Sequence, residues 1–381
     1  MFSTPRSSRP LVVSIAGTRP EAIKMAPVVR ALAERPSLDQ NLVLTGQHKD
    51  LARLFGLPPA AIRELDINLA EQTAGEICEA IRHALGPLLA RLRPDLVLVQ
   101  GDTSSALAGA LAAKDCGLAV GHVEAGLRSG DLLQPWPEEG NRIRIDAVSD
   151  LLFAPSEAAA RNLALERLKG AVHVTGNSGI DALFHARSLC PAPVPAGERR
   201  TVLVTCHRRE NQGAALKRVA SALKRLVREL PLQLVFPLHT NPHLRKSVRQ
   251  LLVREPGIDL IEPVEHAEMV CLMDRAWLIL TDSGGLQEEG PALGKPVLVL
   301  RERTERGEAV ESDNLELVGT DPDRIFGAVS RLLEDQERYA RMARPSFPFG
   351  RGGAAPAIAA IVESFLIREP AELAPLSLIS D

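Results

Sequence analysis

Aromatic side chains are scarce in this chain, making up 3% of 381 residues, with two tryptophans and a single tyrosine. That scarcity counts against recognition by ring stacking, whether of single-stranded nucleic acid or of a sugar face. Excess charge is also missing. The formal net charge is −3, so no overall basic field points to nucleic acid or to an anionic membrane. Any bound anion must be met by local groups. No apolar run approaches the length of a membrane span. The polar start "MFSTPRSSRP" lacks the apolar core of a signal peptide and is expected to fray. The five cysteines, Cys78, Cys116, Cys190, Cys206 and Cys271, form no C-x-x-C pair. The expectation is reduced thiols in a cytoplasmic protein, with neither a disulfide framework nor a zinc site.

What is present is a globular composition, 45% hydrophobic and 24% charged, at a length that implies two domains. Runs such as "LVVSIAG", "NLVLTG", "LVLVQGD" and "LLFAPSE" alternate with helical patterns, and "TVLVTCH", "LQLVFPLH", "LILTDSGG" and "PVLVLRE" continue the series. Runs apolar on both faces, separated by helices, indicate parallel sheets covered on both sides. The stretch "CPAPVPAGERR", residues 190 to 200, is the one Pro-rich break and reads as a linker. The expected fold is therefore α/β, with two doubly wound Rossmann-like domains, residues 1–190 and 191–381, around a central cleft. A last helix, about 353 to 367, can pack on either domain.

Ligands of such sheets bind at the carboxyl ends of strands, where the polar residues of this chain cluster. "GTRPEAIKMAP", residues 17 to 27, puts Arg19 and Lys24 at a helix start, the end whose dipole repels cations. Pro20 suits the first helical position. Something anionic is expected there. "CHRREN", residues 206 to 211, sets His207, Arg208 and Arg209 after a buried strand; the arginine fork suits phosphate, although loop arginines are usually solvated. "TDSGGLQEE", residues 281 to 289, is strand, Gly-rich turn and helix. The free N–H groups of Ser283, Gly284 and Gly285 can cradle a phosphate. Glu288 and Glu289, expected in the first helical turn, can serve a ribose diol or simply complement the dipole.

"GHVEAGLRSGD", residues 121 to 131, holds Glu124 inside an otherwise apolar strand. There it needs a partner or a proton, and acid/base work competes with a structural pair to Arg128 or Arg142. Asp102 reads equally as a helix-capping residue, as do Glu138 and Glu139 beside Arg142 in "PWPEEGNRIRID". His239, in "PLHTNP", reads equally as a core or cap histidine. Singly, most of these residues are better explained structurally. Jointly they set cations and free amides against several carboxylates across one cleft, which suits a diphosphate-linked substrate with acid/base chemistry beside it. No cluster has metal-ligand spacing, and no cofactor is expected.

Taken together, these stretches resemble the non-hydrolysing UDP-N-acetylglucosamine 2-epimerases. "GTRPEAIKMAP", "TGQHKD", "GDTSSA", "GHVEAGLRSGD", "PWPEEGNR", "VTGN", "CHRREN", "LTDSGGLQEE", "GKPVLVLRE" and "TERGEAVE" follow in order from residue 17 to about 320. The resemblance implies a fold like that of two-domain, GT-B type glycosyltransferases, no cofactor, and a homodimer. It implies interconversion of UDP-GlcNAc and UDP-ManNAc, by elimination of UDP to 2-acetamidoglucal and re-addition. A hydrolysing relative, a variant UDP-sugar, or a silent UDP-sugar binder remain open alternatives. By motif match, Arg19, Lys24 and His207 would stabilise the UDP phosphates. Ser283 and Gly284 would bind phosphate, Glu289 the ribose, and Arg306 matches the cleft arginine of the T-E-R motif. Asp102, Glu124 and Glu138 match candidate acid/base carboxylates, and Gln47, Arg209 and His239, with Glu139, a possible activator site. Two regions depart from the family pattern, and in the loop after "PVLVLRE" Gly307 stands where Pro is usual. Asp313-Asn314 replaces the usual Gly-Thr and is expected to bring an extra carboxylate near the diphosphate. The short "DINLAEQT" and Asp50 imply weakened or absent activation by UDP-GlcNAc.

Overall fold

The structure, a computed structural model, describes residues 9–69, 72–192, 199–304, 310 and 313–367. Its first sheet comprises β1 (Leu11–Ala16), β2 (Asp39–Leu44), β3 (Ile62–Glu64), β4 (Leu96–Gln100), β5 (Ala119–Val123), β6 (Leu151–Ala154) and β7 (Ala171–Val174). The second comprises β8 (Arg200–Thr205), β9 (Leu232–Pro237), β10 (Ile258–Ile261), β11 (Leu278–Thr281), β12 (Val297–Val299) and β13 (Leu315–Leu317). Both are wholly parallel, in the orders β3-β2-β1-β4-β5-β6-β7 and β10-β9-β8-β11-β12-β13. The α/β class with two doubly wound sheets is therefore as expected. In each sheet the winding reverses once, between β1 and β4 and between β8 and β11, and a crevice opens there at the carboxyl ends.

The continuous apolar runs have a direct cause. Successive residues point to opposite faces, and both faces are covered. Val12, Ala16, Leu96 and Leu98 pack into one layer, while Val13, Ile15, Val97 and Val99 pack into the other. Helices complete the layers across the molecule. The last described helix, Ala354–Leu366, buries Ala355, Ile358, Ala359 and Val362 against the first sheet. The helix Ser178–Ser188 buries Ile180, Leu183 and Ala186 in the second sheet's core. A helix that precedes β8 thus packs into the second sheet's core, and one that follows β13 packs on the first sheet.

Three expectations need correction. Cys190 and Cys271 form a disulfide across 81 residues of sequence, while Cys78, Cys116 and Cys206 are free thiols. A C-x-x-C search cannot see a pair brought together only by tertiary packing. Secondly, β3 and β13 are additional edge strands of three residues each; "IRE" and "LEL" are too short and too charged to read as strands. Thirdly, Asp313 does not approach the cleft. It precedes β13, and Val297 at the start of β12 donates to the Asn314 carbonyl, so Asp313 lies at the amino ends of the strands. Asn314 is buried there and donates to the Met342 and Arg344 carbonyls, at 2.7 Å each. Among the described residues, no helix is long and apolar enough to cross a membrane.

Candidate active site

The first turn after β1 is organised by an acid as well as by the two cations. Its helix, Arg19–Ala33, is capped by Thr18 and begins at Arg19, one residue before Pro20. Glu21, third in the helix, reaches back to accept from the Thr18 N–H at 2.6 Å and the Gly17 N–H at 3.2 Å. Thr103 Oγ1 donates to the other carboxylate oxygen at 2.7 Å. Burial pushes the Glu21 carboxyl up to about 7, against the opposing pull of these hydrogen bonds. Gly17 permits the close approach that makes this possible: a Cβ there would fall 1.9 Å from Ser105 Oγ.

Lys24 points inward. Its Nζ lies 2.6 Å from Glu124 Oε1 and 3.4 Å from Glu288 Oε2. Gln100 Nε2 donates to the second oxygen of Glu124, and Asn177 Nδ2 donates to Glu288 at 2.8 Å. Glu124 is therefore not inside the strand as expected. It follows β5 with φ of 71°, and that left-handed turn swings its carboxylate toward Lys24. Neither arginine expected as its structural partner pairs with it. Arg128 binds Asp146 at 2.7 Å, and Glu166. Arg142 binds the Asp102 carboxylate and stands 3.2 Å from Glu139 Oε2. Glu139 is buried, its other oxygen accepting from the Ser129 and Gly130 N–H groups. Asn141 Nδ2 holds the Asp102 carbonyl at 2.8 Å. Glu138 opens the same helix, and among the described residues its buried Oε2 has no hydrogen-bond partner.

On the opposite side, Ser283 caps the helix Gly284–Ala292, and no acid occupies its first turn. This corrects the expectation for Glu288 and Glu289. They lie one turn further on, Glu288 facing Lys24 and Glu289 Oε1 standing 3.1 Å from His266 Nε2. The amides of Gly284 and Gly285 open the helix, where N–H groups have no helical acceptor. The "CHRREN" turn wraps a buried carboxylate, Asp282, which accepts from the N–H groups of His207 and Arg208 at 2.9 Å each and from Asn211 Nδ2 at 3.0 Å. The His207 ring stacks on His239, with centroids 5.4 Å apart. Burial lowers the His207 pKa, Arg208 adding to the effect and Asp282 opposing it; burial and then His207 lower that of His239. Both imidazoles are thus neutral at neutral pH.

Two cavities meet at His207. One, of about 770 Å³, is lined by Arg19, Gln47, His207, His239, Ser283 and Glu289, with Phe236, Leu238 and Leu286 as apolar wall. The other, of about 1250 Å³, is lined by Glu138, His207, Arg208, Arg301 and Arg303. Arg19 binds Glu265 across the cleft, and Arg53 shares that carboxylate at 3.0 Å. The Arg19 and Lys24 cations are therefore already matched by protein carboxylates. Arg209 lies in a single turn, Arg209–Asn211. Arg306 and Gly307 lie outside the described residues. Sequence reasoning passed over Glu21, Asp282 and Asp146, and marked His122 only as a polar residue at a strand end. Only Glu21 carried a local signal, the Thr-x-x-Glu spacing of a capping box at residues 18 to 21.

The family model for UDP-N-acetylglucosamine 2-epimerase matches residues 30–363. The chain belongs to that family. It is similar to the UDP-N-acetylglucosamine 2-epimerase of Escherichia coli (strain K12), 42% identical over 363 residues covering 90% of this chain and 96% of that one. It is also similar to the solved UDP-GlcNAc 2-epimerase of Neisseria meningitidis bound to UDP-GlcNAc, with a TM-score of 0.86 and 39% identity over 94% of this chain and 100% of that one. A kitacinnamycin glycotransferase shares the fold alone, with a TM-score of 0.65 at 13% identity, covering 95% of this chain and 100% of that one.

Proposed function

We propose that this enzyme interconverts UDP-GlcNAc and UDP-ManNAc by inverting C2 of the sugar without net hydrolysis. The observation that carries the reading is the Lys24–Glu124 pair at 2.6 Å, behind a pair of cavities that share His207. The relative bound to UDP-GlcNAc supports the substrate class. In the first half-reaction a carboxylate takes the C2 proton, the C1–O bond breaks, and its electron pair leaves with UDP. The sugar remains as 2-acetamidoglucal, with a double bond between C1 and C2. In the second, a proton reaches C2 from the opposite face and a β-phosphate oxygen of UDP adds to C1. Electrons and atoms balance with no oxidant.

The cations act where charge develops. As C1–O breaks, negative charge grows on the diphosphate, and groups already aimed there stabilise the transition state more than the ground state. Arg19 exchanges Glu265 for the diphosphate, Lys24 supports it from below, and the neutral His207 donates a hydrogen bond. The amides of Ser283, Gly284 and Gly285 complete that cradle. Glu289 takes the ribose, and the wall of Phe236, Leu238 and Leu286 takes the base. Asp102, Glu124 and Glu138 form the acid/base set. Arg142 holds Asp102 in place, and residues 1–190 and 191–381 act as the two cleft-forming domains. Gln47 and His239 share the nucleotide cavity with Asp50, and that added carboxylate disfavours a second anionic sugar nucleotide, so the rate should depend hyperbolically on UDP-GlcNAc. The elimination route is tested with substrate carrying ¹⁸O in the bridge between C1 and the β-phosphorus. During turnover the label should scramble into non-bridging β-phosphate positions. A label that stays in the bridge would contradict C1–O cleavage.

A further inference from the structure

The helix Glu138–Val148 carries a buried acid that the proposed chemistry does not use. Asp146 is fully buried, as is His122. Asp146 Oδ1 lies 2.6 Å from His122 Nδ1, and Oδ2 accepts from the Gly126 N–H at 3.1 Å beside the Arg128 guanidinium. The second ring nitrogen, His122 Nε2, lies 2.7 Å from the Gly101 carbonyl oxygen. A carbonyl has no proton to give, so Nε2 carries hydrogen. Burial raises the Asp146 pKa, but His122 and Arg128 together outweigh it and hold the carboxyl below its usual range. The ring is thus locked between the Asp146 carboxylate and the Gly101 carbonyl.

What this ring holds is the residue next to Asp102. Gly101 adopts φ of 70°, the left-handed turn by which the chain leaves β4. Its carbonyl is fixed by His122, the carbonyl of Asp102 by Asn141, and the carboxylate of Asp102 by Arg142. Asn141, Arg142 and Asp146 all lie on one helix, so the same element fixes the turn at three points. Burying a charged pair costs desolvation that an apolar pair of the same size does not incur. A rigid ring held at both nitrogens gains most at this place if the adjoining carboxylate must stay within a narrow range of positions.

We infer that His122 is a positioning residue for Asp102, fixing the turn from which that carboxylate meets the sugar. The inference rests on the acid/base role proposed for Asp102. The test uses full-length His122→Gln, Asp102→Asn and the double variant, reading kcat from C2 proton exchange and UDP affinity separately. His122→Gln should lower kcat roughly 10- to 100-fold, as for a reacting group displaced by up to 1 Å, with UDP affinity unchanged. In the Asp102→Asn background the same substitution should cost nothing further, because the residue it positions is already lost. Losses that multiply in the double variant overturn the inference while leaving Asp102 catalytic. A wild-type rate for Asp102→Asn removes the catalytic reading of Asp102, and this inference with it. If His122→Gln does not fold, Asp146→Asn serves instead. It weakens the hold on Nδ1 of the ring, and should lower kcat less, again only where Asp102 is present. An unchanged kcat in Asp146→Asn overturns the inference.

Discussion

On the first-sheet side of the cleft, ion faces ion: Lys24 with Glu124, Arg142 with Asp102, Arg128 with Asp146. Across from them, the second sheet presents helix-start amides, two stacked imidazoles with lowered pKa values, and an apolar wall. Even its buried carboxylate Asp282 is met by N–H groups of the 207–211 turn. The contrast separates two tasks. Neutral donors and apolar surface suit the nucleotide that the proposed function requires. Paired charges hold carboxylates in fixed positions. The first side suits chemistry and the second suits binding.

Removing a carboxylate from the ionic side should break the division most visibly. Glu124→Gln is expected to lower kcat by about two orders of magnitude or more, as for lost acid/base groups, while UDP affinity stays near wild type. Exchange of the C2 proton checks the first and calorimetric titration the second; undiminished turnover would return Glu124 to a structural role. Next in size is Lys24→Met. It leaves Glu124 and Glu288 with no shared cation between them, and a broken buried pair costs about 3 kcal/mol or more. Urea denaturation of the variant should register that loss; a midpoint unchanged from wild type would mean the pairing carries little stability.

A third test concerns Glu21, which joins the turns after β1 and β4. Its folded pKa of about 7 lies above the ordinary value of 4.5. The stability it contributes is therefore fully present below about 4.5 and is lost as pH rises through about 7. Wild type should lose stability relative to Glu21→Gln over that window, and parallel stability curves for the two would contradict the assignment. The smallest effect belongs to an exposed contact between the two sides. Glu265→Gln frees Arg19 from a half-exposed partner, and such pairs are worth about 0–1 kcal/mol. UDP binding should tighten by a few-fold at most; weaker binding would show that Glu265 itself helps hold the ligand.

The same contrast explains what the sequence made legible. Strands buried on both faces are unbroken apolar runs, so β1, β4, β8 and β11 could be read directly. The three-residue edges β3 and β13 could not. The binding side is also local: Ser283, Gly284 and Gly285 form one turn, and His207 follows β8 immediately. The ionic side is not local. Lys24 reaches Glu124 across 100 residues and Glu288 across 264, and no spacing rule connects them. Glu124 was singled out as a lone acid, yet its partner depends on a left-handed backbone turn one residue past the strand. Glu21 showed a capping signal, but the neighbouring cations drew the reading toward an external anion. The structure supplies Glu265, Glu124 and Glu288 in that place.

The most direct measurement of the central claim is a proton NMR time course with UDP-GlcNAc in D₂O. The account predicts deuterium entering C2 as UDP-ManNAc appears, with no accumulation of free sugar. Free ManNAc rising in step with UDP would contradict the non-hydrolysing route, and UDP-ManNAc that keeps its C2 proton would contradict proton transfer through the buried carboxylates.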